Sequence, residues 1–426
     1  MPGSARPYHV VLACFLGWTI DAFDFFIMIF VIGDIAREFD TSIATMSWAI
    51  TLTLALRVVG SLLFGRLADR YGRRPALIAN ILIFSLLEVL SGFAPTLTIF
   101  LILRALYGIA MGGEWGVGAS LTMESIPQNW RGFVSGILQS GYSFGYLLAA
   151  LLYGVGFGTL GWRGMFIVAM VPALLVLYVR RAVPESPDWQ RQQAKTETEA
   201  TGRASFAASF GRHWRLYLYA IVLLTAAATF SHGTQDLYPV FLRQQHGLSV
   251  HQVSMIAVIF NIGAILGCLS GGALSQAIGR RRELALATLA AIVLMPFWAE
   301  ASSPVMLAAT AFLMQFLVQC TFGVMPAHLN EISPADVRAT FPGFTYQFGN
   351  MLAAGNATIQ AVLAAHFGGD YGLGLGLVAG FGAVVFCLLA FFGVEARSVV
   401  MDGTELDGPG NAGPDYGLRV GRPSMG

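Results

Sequence analysis

Ser231-His232-Gly233-Thr234-Gln235-Asp236 lies inside a long apolar stretch and gathers much of the chemistry this chain offers. His232 and Asp236 are four residues apart, so on a helix they share one face. A carboxylate beside an imidazole favours the charged ring, which suits the pair to carrying a proton in the physiological range. The alternative is a simple tie between this segment and a neighbour. Arg57 stands in a different apolar segment, about 12 Å from the polar end at Gly65 if the rise is 1.5 Å per residue. A guanidinium at that depth needs an anion, and its fork suits a carboxylate. Either the protein or a bound solute can supply one.

Other polar groups sit at similar depth, where burying them is costly and calls for a reason. Asp21 and Asp24 are three apart; repulsion and burial favour a proton on one of them, or one pairs with Arg57. Arg104 and Glu114 share a glycine-rich segment and are open to two readings, a place in a proton relay or a structural role. Gln347 and Asn350, three apart, can face one space together and bind a carboxylate or hydroxyl without altering its charge balance. Gln139, Tyr142 and Tyr146 are open to two readings, shaping the pocket or, the more favoured, packing helices. Cys14, Cys268, Cys320 and Cys387 all lie in apolar segments and read as packing residues. With no phosphate loop, nucleophile constellation or metal-ligand cluster, neither an enzyme nor a cofactor or metal is expected.

The elements that must hold these residues are membrane spans. Hydrophobic residues make up 56% of the chain and charged ones only 12%. The mean hydropathy is +0.66, whereas soluble domains carry about 25% charged residues. Windows of about 20 residues place twelve spans near 10–33, 43–65, 75–94, 96–118, 131–156, 162–181, 215–241, 251–274, 284–301, 304–326, 340–363 and 371–394. Two polar strings recur at one offset: Gly65 to Arg74 returns as Gly272 to Arg281, and Glu124-x-x-Pro127-x-x-x-Arg131 as Glu331-x-x-Pro334-x-x-x-Arg338. A constant offset means two halves of one plan around a central path. The expected fold is an all-α membrane protein of twelve transmembrane helices in two pseudo-symmetric six-helix halves.

The halves are expected at 1–181 and 215–395, joined by a cytoplasmic linker over 182–214. A glycine- and proline-rich tail, 396–426, is expected to be disordered and cytoplasmic. Arg66, Arg70, Arg73, Arg74 and Arg280 to Arg282 concentrate on one side, so the positive-inside rule puts both termini in the cytoplasm of an inner-membrane protein. The formal net charge of +1 suggests no nucleic-acid partner. A monomer is expected to suffice.

The Gly65–Pro75 loop resembles the cytoplasmic signature of the major facilitator superfamily, and Pro184-Glu185-Ser186-Pro187 is similar to a loop of its sugar-porter-like members. The Ser231–Asp236 string resembles a motif of the sialate:proton symporters and the fungal lactate/pyruvate permeases. This chain departs from that motif at Ala228, where asparagine is usual, and at Val240, where threonine is. Asp21-Ala22-Phe23-Asp24 is similar to the Asp-Gly-Phe-Asp stretch of the same family and of aromatic-acid symporters. The resemblance implies anion transport through Arg57 and a role in selectivity for Gln347 and Asn350.

Proton-coupled symport of a small organic anion by alternating access therefore explains the residues together. The solute would be a monocarboxylate such as lactate or pyruvate, or a sialate-like acid. Arg57, His232, Gln235, Gln347 and Asn350 would bind it; Asp236, His232, Asp24, Asp21 and Glu114 would carry the proton. Asp69, Arg73, Glu124, Arg131, Glu331 and Arg338 would form a gate, with Asp69 bridging a neighbouring helix end or an arginine such as Arg131. A sugar or aromatic-acid porter of the same superfamily is the alternative, and a non-transporting sensor a more distant one.

Overall fold

The computed structural model describes residues 7–41, 43–168, 173–199 and 206–395, so the tail from 396 lies outside it. Among the described residues the chain is helical, with no strand. The first six crossings are α1 (Pro7–Glu38), α2 (Ile43–Tyr71), α3 (Arg73–Gly92), α4 (Leu97–Ser125), α5 (Arg131–Val168) and α6 (Ala173–Ala182). A short helix, α7 (Pro187–Glu199), follows. The second six are α8 (Phe206–Gln235) with α9 (Tyr238–Val240), α10 (Val250–Ile278), α11 (Arg280–Ala299), α12 (Pro304–Ile332), α13 (Thr340–Leu352) with α14 (Asn356–His366), and α15 (Tyr371–Phe391). This is a twelve-span membrane fold in two halves.

Nine of the described helices are long and apolar enough to cross a membrane unaided. The remaining crossings are interrupted. The fifth and sixth run together through α5, which turns at Gly161, where φ is 60°. The eleventh, expected as one span, breaks between α13 and α14 at 353–355. The seventh begins at Phe206 rather than 215 and stops at Gln235, so Asp236 falls in the turn before α9. Helix interruptions in a bilayer are tolerated where they line a cavity, because water or side chains there satisfy the freed backbone groups. Both the α8–α9 and α13–α14 breaks border the cavity described below.

Large apolar side chains cover the outside: Val305, Phe381 and Leu151 are 80%, 71% and 63% exposed. That pattern is unfavourable in water and suits lipid. Inside, small residues bring backbones together, which is how helices associate in lipid. A Cβ at Gly112 of α4 would lie 2.0 Å from the carbonyl oxygen of Arg57 on α2. Only glycine permits that approach, and it seats α2 firmly at the level of its arginine.

Candidate functional site

A cavity of about 460 Å³ lies between the halves, walled by α1, α2 and α5 on one side and α8, α10, α12 and α13 on the other. Arg57, His232, Gln235, Asp236, Gln347 and Asn350 all line it, so residues spread over nearly 300 positions meet in one space. His232 Nδ1 is 3.0 Å from Asp236 Oδ1. The pairing survives the end of α8 because the Asp236 amide still donates to the His232 carbonyl at 3.0 Å. Gln235 donates to the Ser231 hydroxyl at 2.9 Å, while Thr234 turns away and accepts from Gln315. Gln347 is 1% exposed, and its amide nitrogen has no hydrogen-bond acceptor.

Arg57 is held on the first-half wall by one bond, from Nη2 to Asp21 Oδ2 at 3.3 Å. Its Nε has no partner, and its guanidinium lies 5.9 Å from the Trp18 ring. Behind it lie Asp21, Asp24 and Glu114, all essentially inaccessible. Neither Asp24 nor Glu114 has a hydrogen-bond donor on either carboxyl oxygen, and neither lines the cavity. A Cβ at Gly17 would sit 2.5 Å from Glu114 Oε1, so the glycine makes room for that carboxyl. Arg57 thus joins the cavity to this buried acidic group through Asp21.

Gln139, Tyr142 and Tyr146 do not merely pack helices; they line the cavity. Gln139 accepts from Trp115 Nε1 at 3.1 Å, and Trp115 stacks on Tyr346 of the other half at 4.1 Å between centroids. Arg104, by contrast, does not line the cavity. It donates to Glu88 at 2.7 Å and to Ser91 at 2.6 Å, away from the cavity. Glu88 was missed, although it is the only carboxylate within the third span and its cost there was the available signal.

The repeated loops meet on one face. Arg73 grips Glu124 through two bonds, of 3.1 and 2.9 Å, and Arg280 grips Glu331 in the same way at 3.0 and 2.9 Å. Arg280 is the repeat partner of Arg73 and belongs with the other six residues. Asp69 does not reach Arg131. It accepts from the Ala339 and Thr340 amides at 3.0 and 3.1 Å and from the Thr340 hydroxyl, capping α13 of the opposite half. Its repeat partner Gln276 accepts from the Gly132 amide at the start of α5 at 3.0 Å. Arg131 donates instead to the Met123 carbonyl.

Two further carboxylates cap helices here. Glu185 accepts from the Arg73 and Arg74 amides, and Glu395 from those of Arg280 and Arg281. Each helix starts after a glycine at positive φ, Gly72 at 110° and Gly279 at 100°, whose missing Cβ leaves space for the carboxylate. The linker is not merely a tether. Its helix α7 docks by a Trp189 bond to the Asp69 carbonyl, a Ser186 bond to Glu124, and an Asp188–Arg338 contact at 3.8 Å.

Burial, reinforced by Glu124, pushes the Asp188 carboxyl up to about 6, against the pull of Arg338, Arg191 and Arg131. The docked state therefore binds this proton more tightly than an undocked one would. Its contribution to docking is complete below the ordinary value of 3.8 and is lost as pH rises to about 6. Hydrogen exchange of the α7 amides, corrected for intrinsic rate, is expected to quicken across that window. Asp188→Asn should flatten the step; a step of unchanged size would assign it to another group.

A profile of the Major Facilitator Superfamily matches residues 14–354 and 233–406. The chain belongs to that superfamily: it is a multi-pass membrane transporter and not an enzyme. Among its relatives is a carboxylic acid transporter protein homolog of Saccharomyces cerevisiae, 30% identical over 372 residues. That match takes in 82% of this chain and 60% of the yeast protein, so the chain spans well under two thirds of its relative's length. A probable 4-methylmuconolactone transporter of Cupriavidus pinatubonensis is 30% identical over 416 residues, covering 94% of this chain and 93% of the relative. The proton:xylose symporter XylE superposes with a TM-score of 0.73 over 91% of this chain and 95% of its own, at 20% identity. That likeness shows the fold alone.

Proposed function

We propose that the protein imports a small organic anion together with a proton, by alternating access across the inner membrane, with the repeated-loop face and both termini in the cytoplasm. The observation that carries the reading is Arg57, a cation on the cavity wall with a single long bond to Asp21 and buried carboxyls behind it. A carboxylate entering the cavity offers the guanidinium a better, two-toothed partner than Asp21 does. Release of Asp21 by Arg57 then leaves a buried carboxylate that is stabilised by taking up a proton. Solute binding and proton binding thereby favour one another. His232 and Asp236 on the opposite wall relay the proton, and Gln235, Gln347 and Asn350 supply neutral contacts.

The halves touch below the cavity, where Gly116 meets Gly343 and Gly136 meets the Cys268 backbone. These contacts close the cavity toward the loop face. Uptake of labelled acids into proteoliposomes, with and without an inward proton gradient, tests the reading. Stimulation of a carboxylate but not of a neutral sugar is expected, and the reverse would replace it with a sugar porter.

Asp236→Asn removes the charge partner of His232 at 3.0 Å. Proton-driven accumulation is expected to fall at least about tenfold, since one lost charge pair is worth roughly 1.4 kcal/mol or more. Exchange of solute, which moves no net proton, should persist. Normal accumulation in this variant would move the relay to Asp24 or Glu114.

A further inference from the structure

Seven aromatic residues form a continuous file, and four of them, Trp18, Phe26, Tyr142 and Tyr146, line the cavity's first-half wall. Beginning beside Arg57, Trp18 stacks on Tyr142 at 5.9 Å between centroids. Phe26 meets Tyr142 at 5.3 Å and Tyr146 at 4.7 Å, both edge to face. Phe30 continues to Tyr146 at 5.8 Å and to Tyr153 at 5.3 Å, and Phe157 closes the file. As far as Tyr153 the rings alternate between α1 and α5. From Trp18 to Phe30 the file climbs about 18 Å at 1.5 Å per residue, from the level of Arg57 away from the repeated-loop face.

Among the described residues, 28 line the cavity and eight of them are aromatic, more than twice the 12% of the whole chain. Ring faces and edges attract another ring in offset or edge-on contact, and a puckered aliphatic body of equal size cannot reproduce that fit. The space, about 460 Å³, also leaves a three-carbon acid loosely held. Arg57 fixes one end of the solute. Trp18, whose ring centroid is 5.9 Å from the guanidinium, and Tyr142, stacked on it, offer ring surface beside a carboxylate docked there.

We infer that the solute is a carboxylate on a flat, unsaturated ring, guided to Arg57 along the aromatic file. The inference rests on the carboxylate reading above and names the solute class of that same site. Benzoate and cyclohexanecarboxylate share a charge and differ little in volume, but only benzoate is flat. Equilibrium binding of both labelled acids to the purified full-length protein, with lactate and gluconate alongside, tests it.

Benzoate is expected to bind at least about tenfold more tightly than cyclohexanecarboxylate, a difference of about 1.4 kcal/mol. Tyr142→Leu should erase most of that ratio, while Tyr142→Phe, which keeps the ring, should preserve it and show that position 142 tolerates change. Equal binding of the two ring acids, with Arg57→Leu still abolishing both, overturns the inference and leaves the carboxylate reading intact. Tighter binding of lactate or gluconate than of benzoate does the same. Binding of none of the four acids, or binding indifferent to Arg57→Leu, overturns the carboxylate reading itself.

Discussion

Arg57→Leu is expected to weaken solute binding by about 30-fold or more and nearly abolish uptake. Removing one member of a buried, hydrogen-bonded charge pair costs roughly 2–5 kcal/mol, and about 1.4 kcal/mol is a factor of ten. Two losses combine: the solute carboxylate has no cation, and Asp21 loses its charged partner at 3.3 Å. Arg57→Lys keeps the charge but not the planar fork, so a several-fold weakening is expected. Both variants should reach the membrane folded, because α2 is seated at this level by backbone contact with Gly112 rather than by the arginine's head group. Binding and uptake of a labelled carboxylate, measured beside surface expression, decide the matter. Wild-type affinity in the leucine variant removes Arg57 from the site.

The second large effect is expected at Asp69. Its carboxylate faces two backbone amides and a hydroxyl at the start of α13, besides Arg73 at 3.1 Å. In Asp69→Asn, one carboxylate oxygen becomes an NH₂ group pointed at donors, so bonds are lost and a repulsion is added. Hydrogen bonds to charged groups are worth roughly 1.5–3 kcal/mol each, against about 1 kcal/mol for a neutral one. Loss of about 2 kcal/mol shifts the closed state some 30-fold toward inward-open. Gln276→Ala removes the acceptor of Arg280 Nη2 within its own half and, between the halves, only a neutral bond from the Gly132 amide, so it should shift the closed state only about fivefold. Cys268 reports on this, since it is buried where its backbone meets Gly136 of the other half. Its alkylation from the cytoplasmic side should rise sharply in Asp69→Asn and modestly in Gln276→Ala. Equal rates would reduce both loops to a topological role.

The sequence by itself determined the class of protein. Span count, the two halves and the polar loops follow from composition and from one offset, and both are local or periodic signals that need no contact map. The His232–Asp236 pair was legible for the same reason, because four residues on a helix bring side chains together whatever the remainder does. Polar residues at membrane depth also announced themselves by their cost, which is why Arg57, Asp21, Asp24 and Glu114 stood out.

Only the tertiary structure decided which groups meet. Asp69 finds its partner 270 residues away at the start of α13, Glu88 answers Arg104 from α3, and Glu185 and Glu395 cap helices that begin 112 and 115 residues earlier in the chain. None of these pairings leaves a mark on local periodicity, since each depends on how helices cross. The breaks at 236–237 and 353–355 were illegible for a related reason. Neither holds a proline within the turn itself, and their freed backbone groups are tolerable only because a cavity between two halves borders them. The aromatic file is the clearest case: on α1 and α5 separately its rings look like ordinary lipid-facing or packing residues, and they become one wall only when the two helices lie side by side.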